Sequence, residues 1–517
     1  MQVNKFLWVI VIQFLMNTVH SARILAVISS PSYSHQITFR PLWKELSLRG
    51  HHVTLLTTDP INDSSLSNIT EINLHSSYKF WQEQNMFTLF NDSLEKLFWV
   101  LTDIYFKIGD EQLSNPKVKS IIENKTEHFD LLVIEGFHSA FFAFAERFNC
   151  PFIIVQSLEC TSFVYSEIRN PVHSVLNPDY NLPYDSQLSF SQRVFSVVYN
   201  FFMHVFYNHF VCPSQQLLVI KHFGINYSQI QTVYKNYSLF FIHTDTVLYQ
   251  LRPLLPNVIQ VGGIIDYKET QPLTESLQHI LDNANQGIIY FSLGSIVKSV
   301  DISQQFRKIV LDAFRELPYL VLWKFENEIL SDKPANVIIS KWFPQRDILR
   351  HPNVKLFITQ GGVLSISEAV YHHVPIIGIP VMSDQRSNIK RMVSKGCGLL
   401  IEFKDASKKD FLTAILEVIN NPKYRNQIKQ LAGLLIDQPD SALDRAVWWT
   451  EYVIRHKGAR HLRNPALDLP WYQYYNLDVI SLIIIVFAVS IYLLIATLKF
   501  FLKTIKYLCV KKKIKIH

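Results

Sequence analysis

The chain is long enough to bury at least two hydrophobic cores, and its composition already excludes some classes of protein. It has 517 residues, and its formal net charge of +7 equals the charge of seven lysines that all follow residue 498. The preceding body therefore has no net basic bias, and charge gives no support for nucleic-acid binding. The five cysteines form neither a disulfide framework nor a zinc-binding spacing, so no metal site is expected.

The N-terminal segment predicts a secretory signal. Residues 1–22 combine Lys5, an apolar stretch too short to span a bilayer comfortably, and the small residues Ser21 and Ala22, near which cleavage is expected. An uncleaved membrane anchor is the alternative.

The first half of the body predicts a parallel sheet. A strand, a loop and a helix that ends before Gly50 lead into a second strand, which makes a βαβ unit, and Pro41 is expected to kink the first turns of the helix. Later apolar runs follow helix-like stretches, as buried parallel strands do. The predicted strands are Ile24–Ile28, Val53–Thr57, Leu131–Ile134 and Phe152–Val155.

The second half repeats this alternation independently, and the boundary between the halves is expected near Asp245 to Pro256. Two doubly wound α/β domains that face each other hold ligands in the cleft at the carboxyl ends of their strands. The predicted elements are the strands Ile288–Phe291, Leu320–Trp323, Val337–Ile339 and Val354–Ile358, and a helix at Phe306–Leu317.

One segment of this half, from Phe357 to Gln385, reads FITQGGVLSISEAVYHHVPIIGIPVMSDQ. It predicts a strand, a turn at Gly361 and Gly362, a helix, and a second strand over Ile376–Val381. Glycines at a helix N-terminus let backbone N–H groups face a ligand, so a phosphate fits there. An ordinary tight turn explains the same two glycines equally well.

The C-terminal region predicts a membrane anchor. Residues 477–498 include Val479–Leu498, which contains no charge and has the length that a helix needs to cross a bilayer. The lysines of residues 499–517 place that tail in the cytosol, which makes a single-pass type I protein; a buried core helix is the alternative. The final KIKIH resembles a K-x-K-x-x signal for return to the endoplasmic reticulum, although the lysines could simply touch anionic lipid.

Glycosylation sequons occur only in the first half of the chain, which suits a lumenal body with exposed loops. Such sequons also arise by chance. They begin at Asn62, Asn68, Asn91, Asn124, Asn226 and Asn236.

The segment from Phe357 to Gln385 resembles the signature of animal UDP-glycosyltransferases, the family that includes the glucuronosyltransferases. Other blocks of that family stand around it in the family order, and the resemblance covers nearly the whole chain. The blocks are PSYSHQITFRPL, LRPLLPNVIQVGGI, IIYFSLGS, KWFPQRDIL and DQPDSALDRAVWWTEYVIRHKGARHLR. The signature matches at Thr359, Gly361, Gly362, Glu368, Pro375, Pro380, Asp384 and Gln385.

The resemblance implies a GT-B fold, in which two Rossmann-like, doubly wound α/β domains face a cleft. It implies an acceptor-binding domain at residues 23–245, a UDP-sugar-binding domain at 246–435, and C-terminal helices with a membrane-proximal segment at 436–476. It also implies inversion at the anomeric carbon, without a metal and with no cofactor beyond the UDP-sugar donor.

Two residues carry the catalytic roles that the resemblance implies. His35, expected in the loop after the first strand, matches the general base that takes the acceptor's proton. Glu135 stands where the family commonly has an Asp that holds the imidazole. A strand-end acid without a partner is the alternative for Glu135. Asp130 is the nearest other carboxylate, but it begins the strand and is expected to point away from the cleft.

The donor site is implied in the same way. Trp342 and Gln345 match residues that contact the uracil, and Glu368 matches the acid that binds the ribose hydroxyls; by themselves, a core Trp and a solvated Glu are the common alternatives. The other implied contacts are Gly294, Ser295, Gly361 and Gly362 for the diphosphate, with Arg252 expected at the same site, and Asp384 with Gln385 for the sugar hydroxyls.

Two positions depart from the family pattern. Gln360 stands where many members have His; it keeps a neutral N–H donor but loses any positive charge beside the diphosphate leaving group. Leu364 replaces a polar residue that contacts UDP in some relatives.

The sequence therefore predicts a UDP-glycosyltransferase of the endoplasmic reticulum membrane, with a lumenal active site, that conjugates small lipophilic acceptors. Its acceptor pocket is expected from the apolar stretches Phe80–Leu101 and Val194–Phe210, and association with a second copy or with related transferases is open. A non-catalytic member that binds ligand or regulates a partner transferase is the alternative. A type I adhesion glycoprotein lacks support, because neither β-sandwich alternation nor paired cysteines occur.

Overall fold

The chain folds into two parallel sheets covered by helices, in keeping with the alternation of apolar runs and helical periods in its sequence. In this computed structural model, the described residues are 21–90, 93–184, 187–264, 273–404 and 406–514. Apart from Ser21 and Ala22, the predicted signal segment lies outside the described residues, as do Asn91 and the last three residues of KIKIH.

The first sheet has seven strands among the described residues, all parallel, in the order β3-β2-β1-β4-β5-β6-β7. Every residue of β4 and β5 is buried, which explains why these strands appear in the sequence as unbroken apolar runs. The strands are β1 Arg23–Val27, β2 His52–Thr57, β3 Ile69–Asn73, β4 Leu131–Glu135, β5 Phe152–Gln156, β6 Leu239–Ile242 and β7 Val258–Gln260.

The second sheet is also parallel, with the order β10-β9-β8-β11-β12-β13. In each sheet the strand order reverses beside the first strand, between β1 and β4 and between β8 and β11, and ligand crevices form at such points. Strand β12 is shorter than predicted, because Pro380 cannot donate to the ladder. The strands are β8 Ile288–Ser292, β9 Leu320–Lys324, β10 Val337–Ser340, β11 Val354–Thr359, β12 Ile376–Gly378 and β13 Gly398–Leu400.

We call the residues around β1–β7 the first lobe and those around β8–β13 the second lobe; both belong to one compact unit that ends at Arg463. The helices of the first half are α1 Tyr33–Leu48, α2 Lys79–Gln82, α3 Met86–Leu89, α4 Leu94–Leu113, α5 Pro116–Glu123, α6 Ala143–Phe148, α7 Ser162–Glu167, α8 Phe190–Phe206, α9 Cys212–His222 and α10 Ile230–Tyr234. Those of the second half are α11 Glu275–Asp282, α12 Gln304–Arg315, α13 Gln345–Arg350, α14 Val363–Tyr371, α15 Gln385–Ser394, α16 Lys408–Asn420, α17 Pro422–Ile436 and α18 Ala442–His456.

Three elements do not follow the domain boundaries predicted at residues 245 and 435. Strand β7 pairs with β6 in the first sheet, and α18 packs its apolar face into the first-lobe core. Helix α3 comes from the first half, yet Phe87 lies in the second-lobe core, with its ring centre 5.2 Å from that of Phe403. Sequence periodicity assigns a segment to a helix or strand but does not say which lobe it covers.

The residues from Asn464 onward form a separate unit. It contains α19 Trp471–Tyr474 and the long helix α20 Leu477–Ile514. The part of α20 from Leu477 to Leu508 is long and apolar enough to cross a membrane, and none of its most apolar stretch is buried, so it is a candidate membrane span. The helix continues beyond residue 498, where the predicted span ends.

Candidate active site

A cavity of about 540 Å³ lies between the lobes and is lined at the carboxyl ends of strands from both sheets. Parallel sheets bind ligands at the carboxyl ends of their strands, where the strand order reverses, so a ligand is expected here. No described residue of the two apolar stretches expected to build an acceptor pocket lines it: part of the first packs into the second-lobe core, and Phe201 of the second is exposed. The predicted site residues that do line the cavity are His35, Gly294, Ser295, Trp342, Gln345, Gln360, Gly362, Glu368, Asp384 and Gln385.

His35 lies in the first turn of α1 rather than in the loop that was expected to hold it. The helix begins earlier than predicted because Gln36 ties its start to the sheet: Gln36 Nε2 donates to the backbone oxygens of Ile28 and Ser30, at 2.9 and 2.8 Å. The helix also continues through Pro41. The imidazole is therefore mounted on a rigid element at the end of β1.

The predicted partner of His35 is in place. His35 Nδ1 lies 2.7 Å from Glu135 Oε1, at the end of the neighbouring strand β4. Glu135 is fully buried, and its other oxygen accepts the Ser30 backbone N–H at 2.9 Å. Asp130 instead accepts the backbone N–H of Arg23 at the opposite end of the strand, as expected.

Sequence reasoning missed Ser157. This residue follows β5, and its Oγ lies 2.7 Å from the same His35 Nδ1. Glu135 and Ser157 both contact Nδ1 of the ring. The tautomer that carries its proton on Nδ1 therefore leaves Nε2 able to accept a hydrogen bond from a ligand. Only the position directly after a buried strand could have marked Ser157 in the sequence.

The environment of Glu135 favours its charged form. Burial opposes ionisation of this carboxyl, but the neighbouring His35 and the hydrogen bonds from His35 and Ser30 outweigh it and lower the pKa of Glu135 below its usual value. The carboxylate is therefore charged at neutral pH and can stabilise a proton on the imidazole.

The glycine turn after β11 has the geometry of an anion site. Gly361 adopts φ +92°, and a Cβ there would lie 2.5 Å from the side chain of Ile389, so a larger residue does not fit. Gly362 is the N-cap of α14 and offers no side-chain cap. The first residues of α14, including Leu364, line the cavity, so its positive N-terminal end faces the space where a ligand can lie.

Gln360 packs against the loop that follows β8. A Cβ on Gly294, which adopts φ +83°, would lie 2.2 Å from Gln360 Nε2. Gln360 is buried, and its Oε1 has no hydrogen-bond partner among the described residues. The amide thus lies beside Gly294 and Ser295 in the cavity wall, with unused hydrogen-bonding capacity.

The residues implied for the uridine lie together. Trp342 is 52% exposed, not a core residue, and its ring centre is 5.1 Å from that of Tyr33 in the first lobe, edge to face. Glu368 is buried, not on the surface, and its Oε2 accepts a hydrogen bond from Gln345 Nε2 at 2.7 Å. Burial raises the pKa of Glu368 against the opposing effects of Gln345 and a nearby Arg346.

Asp384 and Gln385 stand at the start of α15. Gln385 Oε1 accepts the backbone N–H groups of Val381 and Met382, both at 2.9 Å, which fixes the loop after β12. Asp384 Oδ2 accepts a hydrogen bond from Asn388 at 2.6 Å, and burial raises the pKa of Asp384.

Arg252 does not reach this cavity. Its Nη2 donates to Glu159 Oε1 at 2.5 Å, and its guanidinium lies 4.3 Å from the ring centre of Tyr165. The sequence could not reveal this competing buried acid, because Glu159 lies 93 residues before Arg252 in the chain. Among the described residues, no group of three or more His, Cys, Asp or Glu is arranged to hold a metal; transfer without a metal remains a prediction.

The chain resembles known glycosyltransferases along almost its whole length. The family described as "UDP-glucoronosyl and UDP-glucosyl transferase" matches residues 23–515. UDP-glycosyltransferase UGT5 of Dactylopius coccus is 33% identical over 98% of this chain and 96% of the relative. UDP-glucuronosyltransferase 2B17 of Homo sapiens is 32% identical over 89% of this chain and 90% of the relative. The resemblance predicted from the signature segment is confirmed.

Solved structures share the fold. The crystal structure of TcCGT1 in complex with UDP has a TM-score of 0.55 at 13% identity and covers 84% of this chain and 100% of its own. The calicheamicin glycosyltransferase CalG4 also has a TM-score of 0.55, at 16% identity, with 84% and 99% covered. The predicted GT-B fold is confirmed by these likenesses and by the two doubly wound sheets.

Proposed function

Since this chain belongs to the UDP-glucoronosyl and UDP-glucosyl transferase family, we propose that it transfers a hexose, glucose or glucuronic acid, from a UDP-sugar to a hydroxyl of a small lipophilic acceptor, with inversion. The observation that carries this proposal is the hydrogen bond between His35 and the buried Glu135, at the edge of a cavity whose other wall is the glycine turn before α14. A base and an anion site facing one space are what an inverting displacement at a nucleotide sugar requires.

His35 is the general base in this proposal. Its Nε2 takes the proton of the acceptor hydroxyl as that oxygen forms a bond to the anomeric carbon. The bond from that carbon to the diphosphate breaks, and UDP leaves with the electron pair. Glu135 holds the ring by Nδ1 and stabilises the imidazolium that forms.

The second lobe holds the donor in this proposal. The half-exposed Trp342 offers a flat surface to the uracil, and Glu368, aligned by Gln345, binds the ribose hydroxyls. The diphosphate lies against the N-terminus of α14 and the loop containing Ser295, and the hexose faces Asp384.

A panel of UDP-sugars tested with one broad phenolic acceptor decides between an enzyme and a ligand-binding member of the family. We expect acceptor-dependent release of UDP with UDP-glucose or UDP-glucuronate. Tight UDP binding without turnover for any sugar would instead favour the non-catalytic alternative. That alternative stays open because Gln360 and Glu135 both differ from the residues that are common in the family.

Gln360→His is expected to raise kcat by about 10-fold, or roughly 1.4 kcal/mol. Residue 360 lies beside Gly294, which has no side chain to oppose a ring there. When charged, the imidazole would place positive charge near the leaving diphosphate. Gln360→Ala should lower kcat, because it removes the side-chain donor. Turnover at saturating UDP-sugar across about pH 6 to 8 measures both effects. Equal turnover in all three proteins would mean that residue 360 does not touch the diphosphate.

We further propose that the body lies in the lumen of the endoplasmic reticulum and that α20 anchors it with the lysine-rich tail in the cytosol. The sequon residues Asn62, Asn124, Asn226 and Asn236 are exposed, as glycosylation requires. Protease added outside intact microsomes should remove only the tail. Digestion of the whole body without detergent would contradict this topology.

A further inference from the structure

Helix α15 contacts both the cavity and the first lobe. Its N-cap residue Asp384 lines the cavity. One turn later Ser387 Oγ donates to the backbone oxygen of Tyr180 at 2.7 Å, and Lys390 Nζ donates to that of Pro183 at 2.7 Å. The element that presents Asp384 is therefore fastened to the opposite lobe along its length.

A buried ion pair makes the strongest of these connections. Arg391 Nη1 donates to Glu159 Oε2 at 3.0 Å, across the lobes, and Arg252 holds the other oxygen of Glu159. The Arg391 guanidinium also lies 4.7 Å from the ring centre of Tyr249. The side chains of Glu159 and Arg391 are 5% and 14% exposed. Charge-assisted bonds in such a buried setting hold their geometry well.

The same guanidinium fixes Asn388. Arg391 Nη2 donates to Asn388 Oδ1, which leaves Asn388 Nδ2 to donate in the other direction. Nδ2 reaches Asp384 Oδ2 at 2.6 Å and the backbone oxygen of Gly361 at 3.0 Å. A continuous series of hydrogen bonds thus runs from Glu159 in the first lobe to Asp384 in the cavity.

Loss of this series of hydrogen bonds should weaken binding of the sugar end of the donor more than binding of its uridine end. Gly361 has a second restraint, because its N–H donates to Thr359 Oγ1 at 3.2 Å. Trp342 and Glu368 lie on other elements, before α13 and on α14. Asp384 is the cavity-lining side chain that depends directly on the orientation of Asn388.

We infer that Arg391 is a positioning residue, which orients Asp384 toward the hexose through Asn388 and makes sugar recognition depend on the contact between the lobes. This inference rests on the proposed function, since it assumes that a hexose occupies the cavity beside Asp384. The role is not catalytic, because Arg391 is behind the cavity wall.

Arg391→Gln in the full-length protein tests the inference, with Kd values measured by calorimetry for UDP, UDP-glucose and UDP-glucuronate without acceptor. We expect the Kd of the bound UDP-hexose to rise about 10-fold, while that of UDP changes less than about 2-fold. The variant should fold, because Glu159 keeps Arg252 as its partner. Lys390→Ala is the matched control: it removes a neighbouring bond between the lobes that is not part of the hydrogen-bond series to Asp384, and should leave all three Kd values unchanged.

A second measurement tests whether Arg391 acts through Asp384 or affects ligand binding in general. In an Asp384→Ala background, Arg391→Gln should add less than about a 2-fold change in the Kd of UDP-hexose, because residues that act in series are not additive. Unchanged UDP-hexose binding by Arg391→Gln, a parallel loss of UDP binding, or additive effects in the double variant would each overturn the inference. Failure of the wild-type protein to bind any UDP-hexose would instead overturn the proposed function.

Discussion

Replacing His35 with Ala is expected to abolish glycosyl transfer, with a fall in kcat of about 10³-fold or more and almost no change in the Kd of UDP. In the proposed mechanism His35 acts on the acceptor, and it belongs to the first lobe, whereas UDP is expected to bind the second. Steady-state turnover and calorimetric UDP binding on the same preparation measure the two quantities separately.

His52→Ala is a suitable control for that experiment, since His52 is exposed on β2 and does not line the cavity. It should leave turnover unchanged. Retained turnover in His35→Ala would reject the base, whereas loss of UDP binding in that variant would indicate that the substitution had disrupted the fold.

Replacing Glu135 with Gln is expected to cost about 10² to 10³-fold in kcat, again without loss of UDP binding. The amide occupies the same volume and can still accept the Ser30 N–H, but it can no longer offset a positive charge on His35. Turnover of Glu135→Gln is compared with that of Ser157→Ala, which removes the other partner of Nδ1 and should cost less than about 10-fold, because Glu135 remains.

Equal effects of the two substitutions would mean that the charge of Glu135 contributes nothing beyond a hydrogen bond. Glu135→Asp adds a further comparison, because it restores the shorter acid that the family commonly carries. A carboxylate is kept but is drawn back by one methylene, so we expect activity between that of Glu135→Gln and the wild type.

The sequence predicted the elements that carry the site because their physics is local. Buried parallel strands appear as apolar runs, so β4 and β11 can be recognised from the amino acids alone, and the residues that follow them can be placed at one edge of a sheet. The ends of these predicted strands place Glu135 and Gln360 at that edge, and the family resemblance implied their roles. The family resemblance implied the roles of Trp342 and Glu368. Trp342 is half-exposed and Glu368 is buried, which is the reverse of the ordinary expectation for each residue type.

What could not be predicted depends on contacts between distant parts of the chain. Arg252 was expected at the diphosphate, but a buried acid from the first lobe, Glu159, holds it elsewhere. Ser157 and the pairing of Arg391 with Glu159 have no sequence signature, because each partner lies more than 100 residues away. The exchange of α3 and α18 between the lobes was hidden for the same reason, since periodicity specifies an apolar face but not the surface that covers it.

The configuration of the product tests the central claim most directly. A UDP-sugar that is accepted by the wild-type enzyme is incubated with a phenolic acceptor, and the anomeric proton of the product is examined by NMR. Direct displacement with His35 as the base predicts a glycoside of inverted, β configuration from the α-linked donor, and no product with His35→Ala. A product that retains the α configuration, or one that still forms without His35, would contradict this account.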